Sequence, residues 1–511
     1  MAENKTLGTR VIKNTLSNYG SLGISMIVMA FLMRIQYTNI PYQDYGFWSL
    51  IWSIFGYSLL LDFGFGVSVQ KYTSEVSVTG DWEKYNNLIS TIFYAYCILA
   101  VVLAAIVIGL SFKLDVMFNF QEGSDINYYR QVFLIFGIGT SILFPFGFFS
   151  EMLTGMQLIQ IRNRVHVIFT LINFGSMAYV ILSGYGLIAM VYVSIGTHIV
   201  KNIAIWFFTK RNIPELSIKI AHAKFHMLKE VTSFSMFAYL ITFSNIIVFN
   251  TDQIVISAFA SVELVALYQA AAKIAQIFKN FSTQFNENLG PLAAIFHTSA
   301  QHEKLAEMQI TTARVVSFIA TLMVVPLMIY IKPLLALWLE LTAPETFISA
   351  IILLGSMYFY VIFRSGSIKI LLMIGKEKKL SIAALIECFG NLLISIILIG
   401  RLGIVGVAIG TMIPNILVGI FYNIPASSAA SGLPIWEFIR KGALKTIVAG
   451  IIAAGLSYLL LVIYEPKNLL ILFVYCCLSC LLFIITYLFI GLTSVERASA
   501  KNMVLSKIKG A

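Results

Sequence analysis

Apolar runs of roughly 20 residues, separated by short polar turns, recur from near the N-terminus to residue 491. A run of that length, without the strict alternation of a strand, predicts a helix that crosses a ~30 Å hydrocarbon layer. Fourteen such spans are predicted, near 16–37, 44–66, 87–111, 131–157, 163–183, 186–209, 232–259, 262–290, 308–331, 346–374, 379–400, 403–424, 443–464 and 468–491. One stretch departs from the pattern. Glu263 to Pro291 is long enough to span, yet it contains Lys273, Lys279 and Glu287. Gln269, Lys273, Gln276, Asn280, Thr283 and Glu287 advance by four, three, four, three and four residues, which places them on one narrow face. The opposite face carries Ile274, Ile277, Phe278, Phe281 and Phe285. A polar stripe against lipid is very costly, so it is expected to face protein or a water-filled cavity.

Composition fixes the class. Hydrophobic residues make up 59% of the 511 residues and charged ones 12%, with a mean hydropathy of +0.86. Soluble domains carry about twice that charge density. The expectation is an all-α polytopic membrane protein. The N-terminal MAENKTLGTRVIKNTLSNYG is polar and basic, and the apolar run after it is too long for a cleaved signal core. Cys97, Cys388, Cys476, Cys477 and Cys480 all lie inside apolar runs, with neither disulfide nor metal-ligand spacing.

A net charge of +11 could suit nucleic acid, but its distribution argues against that partner. With the N-terminus placed inside the cell, Lys71, Lys84, Arg162, Arg164, Lys210, Arg211, Lys376, Lys378, Arg440 and Lys441 all fall on the inner side. Only Lys113, Arg130, Lys332, Arg401 and Lys467 fall on the outer side. That bias predicts cytoplasmic termini and an even number of spans. Segments 67–86 and 210–231 read as amphipathic surface segments on the inner side, and the outer loop 112–130 is mildly acidic. No loop is large enough to hold a soluble catalytic domain. The six histidines are scattered, and there is no Ser/His/Asp set or P-loop. No catalytic residue, resident cofactor or metal site is expected, and the chain does not read as an enzyme.

The spans repeat internally. YGFWSLIWSIF aligns with ALYQAAAKIAQIF (Trp48 with Tyr268), LTGMQ with LMIGK (Gly155 with Gly375), and GLIAMVYV with GIVGVAIG (Gly186 with Gly403). The separation is nearly constant, which implies two six-helix halves entering from the same side, a parallel pseudo-repeat. The expected layout is a first half over 1–209, a cytoplasmic linker 210–231, and a second half over 232–424. A cytoplasmic loop 425–442, two extra C-terminal helices over 443–491 and a cytoplasmic tail 492–511 follow.

Several phrases carry a family resemblance. DYGFWSL resembles the "EFGLYSL" that opens span two, and LLDFGFGVSVQKYTSE resembles its "DLGL…A…R" exit. NTDQIVISAFAS followed by LYQAAAK is similar to "D…ILG.F…VG.Y..A.KL", and GIVGVAIGTMI to the opening of span twelve. These resemble the Wzx-type flippases for lipid-linked oligosaccharides, within the multidrug/oligosaccharidyl-lipid/polysaccharide (MOP) exporter superfamily. The likeness runs over residues 10–490. Ala266 departs from it, standing where the family's glycine precedes the span-eight tyrosine. The resemblance implies a transporter that moves a polyprenyl-diphosphate-linked oligosaccharide, such as an O-antigen or lipopolysaccharide precursor, across a bacterial inner (cytoplasmic) membrane. Membrane lipids and a polysaccharide polymerase would be its partners.

Charges inside spans are then the candidate site, because a central Lys or Arg costs about 2.5–3.5 kcal/mol to insert. Lys273, Lys279 and Arg364 are expected to line a cationic cavity for the diphosphate, with Arg34 at the outer end of span one. Gln269, Gln276, Asn280 and Thr283 suit sugar hydroxyls. Lys201, Arg314 and Lys369 read as interface anchors. Asp62, Asp252, Glu287 and Glu151 are candidates for coupling to an H+ or Na+ gradient, and each is also explained by an ion pair or a helix end. A peptidoglycan-precursor (lipid II) flippase and a cation-coupled multidrug exporter share the architecture and remain alternatives.

Overall fold

The computed structural model describes residues 2–63, 65–288, 296 and 301–492, and every regular element among them is helical. In order these are α1 (Ala2–Asn39), α2 (Tyr42–Gly56), α3 (Phe65–Thr79), α4 (Trp82–Ser111), α5 (Leu114–Met117), α6 (Ile126–Leu143) and α7 (Phe149–Gly155). They continue as α8 (Ile159–Leu182), α9 (Gly186–Asn212), α10 (Leu228–Phe259) and α11 (Val262–Thr283). After residue 300 come α12 (His302–Ile329), α13 (Ile331–Leu339), α14 (Pro344–Phe359), α15 (Ser365–Met373), α16 (Glu377–Val418), α17 (Ile424–Ser431), α18 (Ile435–Ile439), α19 (Lys445–Ile463) and α20 (Leu469–Ile490). Local chemistry starts several of them. Asp81 and Asp125 accept hydrogen bonds from the first backbone amides of α4 and α6, Asn468 does so for α20, and Pro344 opens α14.

Ten helices among the described residues are long and apolar enough to cross a membrane. One of those stretches, Glu377–Ser431, reverses inside α16 at Gly403, whose φ of 56° and ψ of −140° break the helix. The expected fourteen includes three further helices. Among the described residues α2 is short, α10 counts only from Ile246 to Phe259, and α11 is too polar.

The chain divides into two compact units, Met1–Ala266 and Leu267–Ala511. In the first, Val69, Leu88, Ile92, Phe149 and Met152 form a core between α3, α4 and α7. Segment 67–86, expected as a surface segment, is largely α3. Its Val69, Thr73 and Val76 are buried and it packs on α7. The segment after α9 is strapped to α4. Asn86 bonds the backbone of Glu215 and Ser217, and the Lys224 amide donates to Thr91. Gly46 on α2 lies against the first turn of α11, where an added Cβ would fall 1.9 Å from the Val262 carbonyl oxygen. In the second unit Val325, Ala449, Ala453, Phe483 and Tyr487 join α12, α19 and α20.

The internal repeat has structural counterparts. Gly186 and Gly403, aligned in sequence, both have positive φ, 76° and 56°. Spans four and ten are both interrupted midway, by the short 3-10 turn Phe144–Phe146 and by the π-helical segment Tyr360–Arg364.

Candidate functional site

On α11 the close-packed positions are Ala270, Ala271, Ile274, Ala275, Phe278 and Ser282, all buried. Ile274 and Phe278 were expected on the apolar face, whereas Phe281 is half exposed. The polar stripe lies off the packed positions. Gln269, Lys273, Gln276 and Thr283 are half-buried and Asn280 is exposed. The Lys273 ammonium points along the stripe toward Gln276 Oε1 at 3.5 Å. Charge on a partly open helix face requires water or an anionic ligand there, because hydrocarbon cannot solvate it. Glu287 belongs to the 3-10 segment Gln284–Asn288 that follows, and its side chain lies outside the described residues.

Lys279 and Arg364 approach the Tyr360 ring, each 5.3 Å from its centroid. Arg364 is buried and donates from all three of its nitrogens. Its Nη1 and Nη2 donate to the two oxygens of Glu387 at 2.9 and 2.6 Å, Nε donates to Asn423 Oδ1 at 2.8 Å, and Nη1 also donates to Asn415. Asn415 in turn donates to the Ser356 carbonyl at 2.8 Å. This ties the π-helical segment of span ten to both arms of α16 and to the second π-helical segment, Gly419–Asn423. Gly419 is needed there, since a Cβ would come 2.9 Å from Arg364 Cδ. Arg364 was expected to hold cargo, whereas the structure gives its donors to protein groups. Sequence spacing carried no sign of Glu387 as its partner, because the two lie on different helices.

In the first unit, Asp62 and Glu151 are brought together. Asp62 ends the 3-10 segment Tyr57–Asp62 and accepts from the Tyr96 hydroxyl and, at 3.2 Å, from the Gly66 amide. A Cβ on Gly66 would lie 3.6 Å from Asp62 Oδ1 and 3.6 Å from Glu151 Cγ. Two half-buried acidic side chains flanking Gly66, with its amide and a phenol donating to the first, can hold a proton or a small cation. Sequence reasoning missed Tyr96, which reads as an ordinary aromatic of α4. Asp252 is buried elsewhere on α10, in a polar run that packs on α2: Ser53 donates to the Asn250 carbonyl and Tyr57 bonds Thr251. Arg34 is half-buried on the last turns of α1. No group of three His, Cys, Asp or Glu side chains suited to a metal occurs among the described residues.

These features define a polytopic α-helical membrane protein with charge placed inside its spans. The chain belongs to the family described as Polysaccharide biosynthesis protein, whose pattern matches residues 39–340. No curated protein sequence matches it. Its fold is similar to that of lipid II flippase MurJ in an inward closed conformation, with a TM-score of 0.70 at 16% identity, covering 93% of this chain and 99% of that one. It is also similar to a multidrug resistance MATE family transporter of the MOP superfamily in inward-facing and outward-facing conformations. Those give TM-scores of 0.62 and 0.57 at 16% and 18% identity, covering 80% and 82% of this chain and 96% of each of those. The fold is shared with these transporters.

Proposed function

We propose that the chain is a flippase that moves a polyprenyl-diphosphate-linked oligosaccharide across the cytoplasmic membrane by alternating access, for surface polysaccharide synthesis. Family membership and the shared fold support a transporter rather than an enzyme. The observation that carries the cargo class is the half-open stripe of α11. Lys273 and the Gln and Asn side chains beside it offer charge and hydrogen bonds to an anionic, hydroxyl-rich headgroup. The lipid tail stays in the bilayer. Lys279 serves as a second point charge, Arg34 as an outer one, and Arg364 holds Tyr360 and the helix break around them. Asp62 and Glu151 are the preferred coupling pair for an H+ or Na+ gradient. The protein sits in the inner membrane with both termini cytoplasmic, beside a polymerase that consumes its product.

Replacing Lys273 with Ala tests the reading. Export of the glycan is expected to be lost while the variant still reaches the membrane at wild-type levels. Normal export would overturn it. The lipid II flippase stays a second reading, favoured by the 93% of this chain that MurJ covers. Deleting the gene and identifying the undecaprenyl-linked intermediate that accumulates separates the two cargoes.

A further inference from the structure

The first unit contains a second set of basic side chains that the site above does not use. Helices α8 and α9 form a hairpin, and each places basic side chains on one face. Arg162 and His166 are one turn apart on α8; His198 and Lys201 are one turn apart on α9. His166 lies within Coulombic reach of Arg162 and Lys201, and His198 within reach of Lys201 and His166. The indole of Trp52 on α2 is 6.3 Å from the His198 ring, centroid to centroid. The four side chains therefore form a ladder that rises into the membrane from the end where α8 begins and α9 ends. At 1.5 Å per residue, His166 is about 5 Å inside the predicted start of span five at residue 163, and Lys201 about 12 Å inside the predicted end of span six at residue 209. Lys201, which reads in sequence as an interface anchor, therefore lies about two turns inside its span, deeper than its own side chain is long.

The rungs differ in their partners. Arg162 donates to Thr154 at 2.8 Å and to Asn163, and Glu151 lies within Coulombic reach of it. Above it, His166, His198 and Lys201 make no ion pair with a carboxylate among the described residues. Arg364, by contrast, is matched by Glu387. A lysine in a low-dielectric layer without a counterion is unfavourable unless an anion completes the set, and the two imidazoles beside Lys201 add hydrogen-bond donors rather than a matching acid. His166 is exposed and Trp52 is 42% exposed, so the ladder is open along its side. Exposed Ile199, Val200 and Ile203 on the adjoining face of α9 suit a lipid tail running beside it.

We infer that His166, Lys201 and His198 form a docking site in the first unit for the diphosphate of a lipid-linked cargo, with Trp52 presenting a flat amphipathic face to the first sugar. This rests on the flippase reading and adds a headgroup site remote in sequence from α11. Imidazole and ammonium donors suit phosphate oxygens as charge-assisted partners. Trp52 supplies an apolar face with a polar edge.

The test is saturable binding of a radiolabelled dodecyl diphosphate to the purified full-length protein in nanodiscs, with phosphatidylglycerol as competitor. Lys201→Gln is expected to weaken binding about tenfold, His198→Gln several-fold, and Lys201→Arg to retain it, which separates lost charge from misfolding. Phosphatidylglycerol is expected to compete poorly. Wild-type binding in Lys201→Gln overturns the ladder, as does equal competition by phosphatidylglycerol, which would make it a phospholipid site. A wild-type protein that binds no diphosphate overturns the flippase reading itself. Retained binding in Lys201→Gln together with lost export in Lys273→Ala overturns the ladder alone.

Discussion

A cation inside an apolar helix has three fates: it is matched by an acid, carried to the interface, or held for a ligand. Arg364 shows the first, with a bidentate pair to Glu387 and both asparagines of span twelve accepting from Nε and Nη1. Removing one partner of a buried pair leaves an uncompensated charge and costs about 3–5 kcal/mol. Arg364→Glu and Glu387→Arg should each lower the thermal midpoint of the purified protein strongly, and the double exchange should recover most of it. Export measured in the same variants decides the role. Recovery of export with stability marks Arg364 as a positioning residue, whereas a stable exchanged protein that cannot export marks it as a cargo ligand. Depth within a span was legible in the sequence, so Lys273, Lys279 and Arg364 were all picked out. The identity of the partner was not, because Glu387 reads equally well as a helix-end carboxylate until α15 and α16 are brought side by side.

Breaks in helices obey a similar division. Gly186 and Gly403 announce themselves, since their left-handed backbone suits glycine and they open aligned phrases of the repeat. Pro145 sits in the interruption of span four. The π-helical Tyr360–Arg364 has no proline or glycine of its own. It is set by tertiary contacts, with Arg364 seated in the gap left by Gly419, and π-bulges of this kind favour functional positions. Close approach is testable at Gly46, a residue of the DYGFWSL phrase. A methyl there would collide with the Val262 carbonyl oxygen, so Gly46→Ala should destabilise by at least about 1–3 kcal/mol through overpacking. Gly196 on α9 has nothing within 4 Å, and Gly196→Ala should be neutral or stabilising by up to about 1 kcal/mol. Melting both in one detergent is the measurement, and equal midpoints would remove the close approach as a constraint.

At the scale of the whole chain, length and hydropathy mark only ten crossings among the described residues, and the rest depends on helices that such criteria pass over. Helix α11 is passed over for the feature that gives it interest, its polar stripe. Helix α2 is passed over because it is short, its span continuing into the 3-10 turn that ends at Asp62. If α2, α10 and α11 cross, and Gly403 divides α16 into two crossings, then both termini lie on one side. The basic loops then fall on the cytoplasmic side as the positive-inside rule requires. Single cysteines in a background lacking the five native ones report this directly. Glu122, Lys376 and Lys467 are all exposed. In spheroplasts a membrane-impermeant maleimide should modify Glu122→Cys and Lys467→Cys, and should reach Lys376→Cys only after lysis. An even number of crossings between residues 122 and 467 demands that those two share a side. Labelling them from opposite sides would mean that one of α10 and α11 does not cross as drawn or that α16 does not turn at Gly403. The second case would remove the turn that pairs Glu387 and Asn423 on Arg364, so the topology experiment also tests the geometry of the ion-pair network.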